Sequence, residues 1–398
     1  MRPWFAADAH ASVRPMDVVG LRDLVASRED EFLAELEAMV NIDCGSYTTD
    51  GVNAIVDRCE RRLRDGGWEI DRRAHDGSPR LGDLLIGRLA GSGGRRILLV
   101  GHTDTVFDAG TVRERPFAVE GSVARGPGVS DMKGGLLAGM FAVQALRDAG
   151  IDAFDHITYV CNPDEEIGSP FSGPVIRELA AEHDVGFVLE GARANGDIVS
   201  ARKGITDYTL TVHGRAAHAG VEPEKGRSAI AVAADLVGRL QALNGRWPGV
   251  TLNVGTIRGG TRTNVVPEGC VLELDLRSPV TATLEEAERE IERLCAEPSL
   301  PDVGVDVHRE SWHRPMERTE AIGALAARAT GFAAELGFEL RDAATGGASD
   351  ANTIAAAGTP VLDGLGPVGG DDHAPGEWID VDSIVPRAAM LAALIGLP

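Results

Sequence analysis

His102 and Asp104 stand two residues apart, directly after the apolar run 97–100. The run predicts a buried strand, and side chains two apart on a strand point to the same side. In open α/β sheets, ligands bind outside the carboxyl ends of the strands, and a metal-binding imidazole needs a carboxylate or carbonyl that orients it. The pair therefore has two equally good interpretations. It can form the edge of a metal site, or it can only cap the following turn.

Further acidic residues and one more histidine follow at predicted loop positions: Asp131, the pair Glu165 and Glu166, Glu190, and His373. We expect them to cluster, because the carboxyl ends of parallel strands meet at one edge of a sheet. Two imidazoles and several carboxylates without a thiolate suit zinc, with cobalt or manganese as alternatives. The set predicts a two-metal site that activates water, with one acid of the 165–166 pair as the general base.

Each of these residues also has a purely structural interpretation when it is taken alone. Paired acids in loops are commonly solvated surface groups. Asp131 can cap the helix that follows it, and Glu190 can pair with Arg193.

Alternating strands and helices must position these loops. Apolar patterns predict strands over 81–89, 96–100, 156–160 and 185–189, and an Ala- and Leu-rich helix over 133–149. This alternation predicts an α/β domain with a mostly parallel, mixed sheet flanked by helices.

The pattern of alternating strands and helices changes after residue 200 and resumes near residue 317. Between them, strands and helices follow in the βαββαβ order of a ferredoxin-like α+β fold: 206–213, 226–243, 251–257, 271–277, 283–295 and 303–309. Thr283 and Glu286 predict a capping box at the start of the second helix.

The charge distribution supports a separate insert. Residues 201–315 carry 14 basic and 16 acidic side chains, whereas the whole chain has a formal charge of −22. We predict a catalytic domain over 1–200 and 316–398, interrupted by a lid and dimerisation domain over 201–315, called the lid below.

Composition narrows the class of protein. The 398 residues suggest two domains, and the strongly acidic balance argues against nucleic-acid binding. No apolar run reaches the roughly 20 residues of a membrane helix, and residues 1–17 lack the apolar core of a secretory signal. Five scattered cysteines without a CxxC pair predict reduced thiols, and we expect a cytoplasmic protein.

Nine motifs, in order along the chain, carry a family resemblance. The sequence resembles the two-zinc aminoacylase/carboxypeptidase family of metallopeptidases, and within that family it is most similar to bacterial glutamate carboxypeptidases. The motifs are GHTDTV, GVSDMKGG, NPDEEIGS, VLEGA, HGRAAHAGVEPEKGRSAI, GGTRTNVVPEGC, LDLRSP, TGGASDANTIAAAGTPVLDGLGP and DDHAPGEWI.

The resemblance implies a role for each matched ligand. Asp131 bridges two zinc ions, His102 and Glu190 complete one site, and Glu166 and His373 complete the other.

The resemblance also implies the roles of two neighbouring acids. Glu165 is the general base and then the acid that protonates the leaving nitrogen, and Asp104 orients the His102 imidazole. A cis peptide bond after the bridging residue, between Asp131 and Met132, is a further expectation.

In the lid, the resemblance implies that His218 stabilises the oxyanion, often in the active site of a partner subunit. Asn264 matches a polar lid residue that holds the oxyanion or a substrate carboxylate. A homodimer formed through the lid is the corresponding expectation.

Substrate recognition is predicted from fewer signals. Arg277 and Arg314 stand where lid arginines could bind a free carboxylate, although an ion pair with Asp275 or Glu273 is a rival interpretation of Arg277. Where glutamate-releasing relatives carry a basic residue this chain has Ile198, which favours an apolar leaving amino acid, whereas nearby Ser200 fits the glutamate pattern.

The sequence thus predicts a zinc-dependent hydrolase that cleaves an amide bond next to a free C-terminal carboxylate, as in glutamate carboxypeptidase. The alternatives are an aminoacylase-like N-acyl amino acid hydrolase or dipeptidase, and, from another class, a non-catalytic binding protein on the same fold. The expected substrate is an N-acyl amino acid or a peptide.

Overall fold

The computed structural model describes residues 17–397. Residues 1–16, which make up almost all of the segment considered for a secretory signal, lie outside the described residues. The helices are α1 (Val18–Ala26), α2 (Glu29–Val40), α3 (Thr49–Asp65), α4 (Thr111–Glu114), α5 (Gly134–Asp148), α6 (Gly173–Glu182), α7 (Ala229–Gln241), α8 (Thr281–Ala296), α9 (Glu320–Leu336), α10 (Asp350–Ala356) and α11 (Ile384–Gly396).

The strands alternate with these helices and form four sheets. They are β1 (Glu69–Arg73), β2 (Leu84–Ala90), β3 (Arg96–His102), β4 (Ala118–Glu120), β5 (Val123–Arg125), β6 (His156–Asn162), β7 (Val185–Val188), β8 (Ile198–Arg202), β9 (Gly204–His213), β10 (Thr251–Gly259), β11 (Gly269–Ser278), β12 (Gly304–His313), β13 (Asp342–Thr345), β14 (Val361–Leu362), β15 (Gly369–Gly370) and β16 (Trp378–Asp380).

The largest sheet has six strands in the order β1-β2-β6-β3-β7-β14. Strands β6, β3, β7 and β14 are parallel, and β2 runs antiparallel to both β1 and β6. Strand β3 is buried at every residue after Arg96, which explains why its sequence is almost continuously apolar: helices cover both faces of the sheet. The predicted mixed, mostly parallel sheet is confirmed.

Two glycines let helix α5 lie close to the sheet. A Cβ atom added at Gly135 would stand 1.7 Å from the Leu189 carbonyl oxygen, and one added at Gly139 would stand 2.6 Å from Tyr159 Oη. Only glycine permits this approach. The contact brings the segment before α5, which contains Asp131, next to the end of β7, where Glu190 follows.

The lid contains a separate four-stranded antiparallel sheet in the order β10-β11-β9-β12, which is the strand order of a ferredoxin-like fold. Helices α7 and α8 pack against this sheet around their own hydrophobic core. The predicted capping box is wrong: α8 begins at Thr281, two residues earlier than predicted, and Thr283 Oγ1 donates to the Val280 carbonyl at 3.0 Å instead.

Within residues 17–397, no helix is long and apolar enough to cross a membrane. All five cysteines lie in this range, and each is a buried free thiol, as expected.

Candidate metal centre

Three side chains converge at the carboxyl edge of the largest sheet. His102 ends β3, Glu190 comes two residues after β7, and Asp131 precedes α5. The Nε2 atom of His102 lies 2.9 Å from Asp131 Oδ1 and 3.8 Å from Glu190 Oε2. We call these three residues the first ligand group, because together they could hold a metal ion.

A second ligand group shares Asp131. The Nε2 atom of His373 lies 3.0 Å from Asp131 Oδ2 and 3.2 Å from Glu166 Oε2. The two carboxylate oxygens of Asp131 therefore face different histidines. In each group, one nitrogen or oxygen atom per residue lies within 4.8 Å of the others.

The donor atoms fit a pair of divalent cations. Two imidazoles and three carboxylates, with no thiolate, are ligands that zinc, cobalt and manganese accept. The Oε1 atom of Glu166 is buried and has no hydrogen-bond partner among the described residues. A buried, unpartnered carboxylate oxygen costs free energy, and a bound cation would remove that cost.

The electrostatics of the protein without cations point the same way. Burial and the charge of Asp131 raise the pKa of Glu190 to about 8. Hydrogen bonds to Asp131 and Glu166 raise the pKa of His373 to about 11. The cluster thus holds protons where positive charge is needed, and metal binding would displace them.

Glu165 stands beside the ligands without joining either group. Glu165 lines the cavity at the metal centre, and its carboxylate makes no hydrogen bond or ion pair with residues 17–397. Burial and the nearby Glu190 carboxylate raise the pKa of Glu165. A partly buried carboxylate with a raised pKa and free oxygens suits the exchange of a proton with substrate or water.

Asp104 contacts His102 through two oxygens. The Nδ1 atom of His102 lies 3.0 Å from the Asp104 backbone oxygen and 3.4 Å from its carboxylate Oδ1. The same carboxylate accepts hydrogen bonds from Ser46 Oγ at 2.6 Å and from the backbone N–H groups of Glu165 and Glu166 at 3.2 Å. Asp104 therefore lies where it can orient the imidazole, and it also holds the two glutamates.

Glu377 supports the segment that carries Asp131, and sequence reasoning missed it. Its buried carboxylate accepts the backbone N–H groups of Gly128, Ser130 and Asp131 at 2.8, 2.8 and 3.0 Å. The peptide bond between Asp131 and Met132 is cis, as expected. The Asp131 side chain faces the two histidines and does not cap α5. The only sequence signal for Glu377 is an acid four residues after His373.

We expect the Glu377→Ala variant to bind metal about 10- to 100-fold more weakly, because residues that orient a ligand carry that share of metal affinity. Chelator competition measures the affinity. The matched control is Glu317→Ala, which removes a glutamate that accepts the backbone N–H of Thr281 away from the metal centre. Equal affinities in the two variants would rule out this role.

The metal centre opens into a cavity of about 320 Å³. Beyond the ligands and Glu165, its wall includes Arg193, Val199, Arg202, Thr345 and Ala348. No salt bridge joins Arg193 to Glu190, so the structural interpretation of Glu190 does not hold.

Arg202 is the buried cation of this cavity, with a side chain that is 10% exposed. Its Nε donates to Asp363 Oδ2 at 2.7 Å and its Nη1 donates to the Gly347 carbonyl at 3.2 Å, whereas Nη2 has no hydrogen-bond partner among the described residues. The sequence signal was a basic pair, Arg202-Lys203, of which Arg202 is the last residue of β8.

The predicted substrate-binding residues outside the cavity have other partners. Arg277 forms an ion pair with Asp275 at 2.9 Å, and it also donates to the carbonyl of Gly346, at the cavity margin. Arg314 pairs with Glu285 and lines a neighbouring cleft.

Ser200 also lies outside the cavity wall. Its Oγ donates to Asp342 Oδ2 at 2.5 Å, so the hydroxyl already has a partner within the fold.

His218 and Asn264 lie together on the exposed lid, away from the cavity wall. The backbone N–H of Ala219 donates to the Asn264 carbonyl at 3.0 Å. The N–H of Gly220 donates to His218 Nδ1 at 3.1 Å, which places the proton of the neutral imidazole on Nε2.

The paired ligand groups and the lid-bearing α/β fold define a metallohydrolase. The chain belongs to peptidase family M20/M25/M40, whose sequence model matches residues 98–396. It is 31% identical to carboxypeptidase G2 of Pseudomonas sp. (strain RS-16) over 363 residues, which cover 90% of this chain and 87% of that relative. It is therefore a metallopeptidase, a hydrolase that acts on amide bonds.

Two further proteins show the breadth of this similarity. Succinyl-diaminopimelate desuccinylase of Dechloromonas aromatica (strain RCB) is 28% identical over 375 residues, covering 89% of this chain and 95% of that enzyme. The structure of a tripeptidase from Staphylococcus aureus subsp. aureus mu50 superposes with a TM-score of 0.79 at 22% identity, covering 92% and 97% of the two chains. The predicted family and fold are confirmed.

Proposed function

We propose that this chain is a two-zinc carboxypeptidase that releases a C-terminal amino acid from an N-acyl or peptide substrate, in the manner of glutamate carboxypeptidase. One observation carries the proposal: two ligand groups meet at Asp131 beside the unpaired carboxylate of Glu165. Cobalt and manganese are alternatives to zinc, because the oxygen-rich donor set accepts them.

The residues of the chain divide the reaction between them. Bound divalent cations polarise a carbonyl and make a water more acidic. Glu165 then takes the proton of the attacking water and delivers it to the nitrogen of the leaving amine. Asp104 keeps Glu165 in place through the backbone N–H of that residue.

Arg202 is the residue that we assign to the substrate carboxylate. Arg202 lines the cavity, its Nη2 has no hydrogen-bond partner among the described residues, and the bond to Asp363 fixes the guanidinium. A guanidinium held in one orientation binds a carboxylate with little loss of conformational entropy. Arg277 and Arg314 contribute only if the lid moves, because both are already paired with acids.

The lid supplies the oxyanion contact in this proposal. His218 carries its proton on Nε2 and lies outside the cavity of its own chain, which suits a donor that reaches the active site of a second copy. Asn264 lies next to it. We therefore propose a homodimer through the lid, in the cytoplasm.

An aminoacylase-like hydrolase or a dipeptidase is the alternative. The cavity wall contains Val199 and Ala348, and Ile198 is fully buried in the core, so these positions offer no cation for a glutamate side chain. These observations favour an apolar leaving amino acid. The complete ligand set and Glu165 argue against a non-catalytic binding protein.

A panel of N-acyl amino acids, dipeptides and folate-type glutamate conjugates tests the function, with and without chelator. We expect hydrolysis that requires a free carboxylate, stops with chelator and returns with zinc. The identity of the preferred amino acid decides between glutamate and an apolar residue. Full metal content without hydrolysis of any panel member would contradict the proposal.

The role of Arg202 predicts a loss of discrimination. We expect wild-type protein to prefer an N-acyl amino acid over its carboxamide, and Arg202→Lys to lower this ratio of kcat/KM values about 10- to 100-fold, the worth of a hydrogen bond to a charged group. Lysine keeps a positive charge beside Asp363 but lacks the planar set of N–H donors with which a guanidinium binds a carboxylate. Arg193→Met, which removes an exposed cation of the same cavity, is the control. An unchanged ratio in Arg202→Lys would exclude the role.

A further inference from the structure

The chain crosses between the catalytic sheet and the lid twice, and the two crossings lie side by side. We call residues 202–204 and 313–316 together the hinge. Arg202 and Met316 exchange two backbone hydrogen bonds of 3.0 Å. A Cβ atom added at Gly204 would lie only 2.7 Å from the His313 carbonyl oxygen, so glycine allows the two segments to touch.

One side-chain amide binds both crossings. The Nδ2 atom of Asn352, a fully buried residue of α10, donates to the Lys203 carbonyl at 3.1 Å and to the Arg314 carbonyl at 2.7 Å. Its Oδ1 accepts the N–H of Ser349 at 3.1 Å, which closes the capping box of the helix. Any displacement of the hinge segments therefore acts on Asn352.

The same turn of α10 binds the loop that carries the catalytic glutamates. Asp350 Oδ2 accepts from Asn162 Nδ2 at 2.6 Å, and Asp350 Oδ1 accepts from Ser169 Oγ at 2.7 Å. Asn162 and Ser169 bracket residues 163–168, here called the glutamate loop. The two anchor points of this loop are thus held by a single carboxylate.

The contacts are buried and continue to the first ligand group. The backbone carbonyl of Asn162 accepts the N–H of Thr103 at 2.7 Å, next to His102. Asn162, Asp350 and Asn352 are each 3% exposed or less. Hydrogen bonds in such an environment hold their geometry closely, because breaking one leaves a polar group without water.

We propose that the first turn of α10 couples the lid to the general base. Asn352 senses the hinge, Asp350 holds the glutamate loop, and the capping box makes the two move as one unit. Neither residue lines the metal cavity, so both are positioning residues. A shift of the lid relative to the sheet is then transmitted to Glu165 through the first turn of α10.

Hydrogen exchange tests the coupling without any activity. We expect Asn352→Ala to speed amide exchange in the glutamate loop about 3- to 10-fold, the worth of one net hydrogen bond. The matched control is Asn244→Ala, which removes an amide that donates to the Leu252 carbonyl inside the lid. Unchanged exchange in the glutamate loop would overturn the proposal. If the alanine variant fails to fold, Asn352→Ser keeps a polar group for the cap but cannot reach both carbonyls.

A double-variant cycle measured in kcat tests the same coupling between the hinge and the glutamate loop. Of the two experiments, only this one rests on the proposed function. Ser169→Ala removes one bond to Asp350, and Asn352→Ala removes the bonds to the hinge. If both act through one turn, the double variant is less impaired than the product of the two single effects. Multiplicative effects would show that hinge and loop are independent. Failure of the substrate panel leaves the exchange experiment intact, so the two proposals fail separately.

Discussion

Glu165→Gln lowers kcat by about 10²- to 10⁴-fold, the usual contribution of a general acid–base group. Glutamine keeps the shape of the side chain but cannot take or return a proton. The metal content stays at the wild-type level, because Glu165 belongs to neither ligand group. Steady-state kinetics with metal analysis of the same samples measures both quantities.

The neighbouring residue provides the control for this result. Glu166→Gln loses activity together with metal, because Glu166 belongs to the second ligand group. A Glu165→Gln variant with full activity at normal metal content would remove Glu165 from the mechanism. A variant that loses metal instead would place Glu165 among the ligands.

Asp131→Ala loses both metal ions, whereas His373→Ala loses one and keeps the other. The reason is geometric: Asp131 Oδ1 faces His102 and Asp131 Oδ2 faces His373, so the carboxylate belongs to both groups. Metal stoichiometry measured on the purified variants separates these outcomes. Activity falls below detection in Asp131→Ala, since the water-activating pair is lost.

The control for the metal measurement is His213→Ala, because His213 pairs with Asp306 on the exposed lid. That variant keeps its metal. Equal metal loss in Asp131→Ala and His373→Ala would mean that the two groups do not hold separate ions.

Much of the fold was predictable because its elements are local. The apolar run 97–100 predicted β3, and the Ala- and Leu-rich stretch predicted α5 to within one residue at each end. The βαββαβ order predicted the ferredoxin-like sheet of the lid. The start of α8 was wrong, because Thr283 offers the side chain of a cap while the helix begins two residues earlier.

The substrate-facing groups were less predictable, because residue type alone does not decide whether an arginine binds substrate or an acid of the fold, and the partners of Arg314 and Arg202 are distant in the chain. Arg277 and Arg314 fit a carboxylate by residue type alone, yet Asp275 and Glu285 neutralise them in the folded chain. Arg202 carried no stronger signal than either, but packing against Asp363 brings it into the cavity.

The sequence by itself determined which side chains can bind metal and which strand ends present them, because residue type and strand alternation are local properties. His102 and Glu190 are readable in this way, because each lies at or just after the end of a strand, whereas the role of Asp131 is implied by the family resemblance. Only the tertiary structure decided that Asp131 turns one oxygen to each histidine, that Glu377 holds its segment, and that Asn352 joins the hinge. Those contacts link residues far apart in the chain, and packing of the whole core sets their distances.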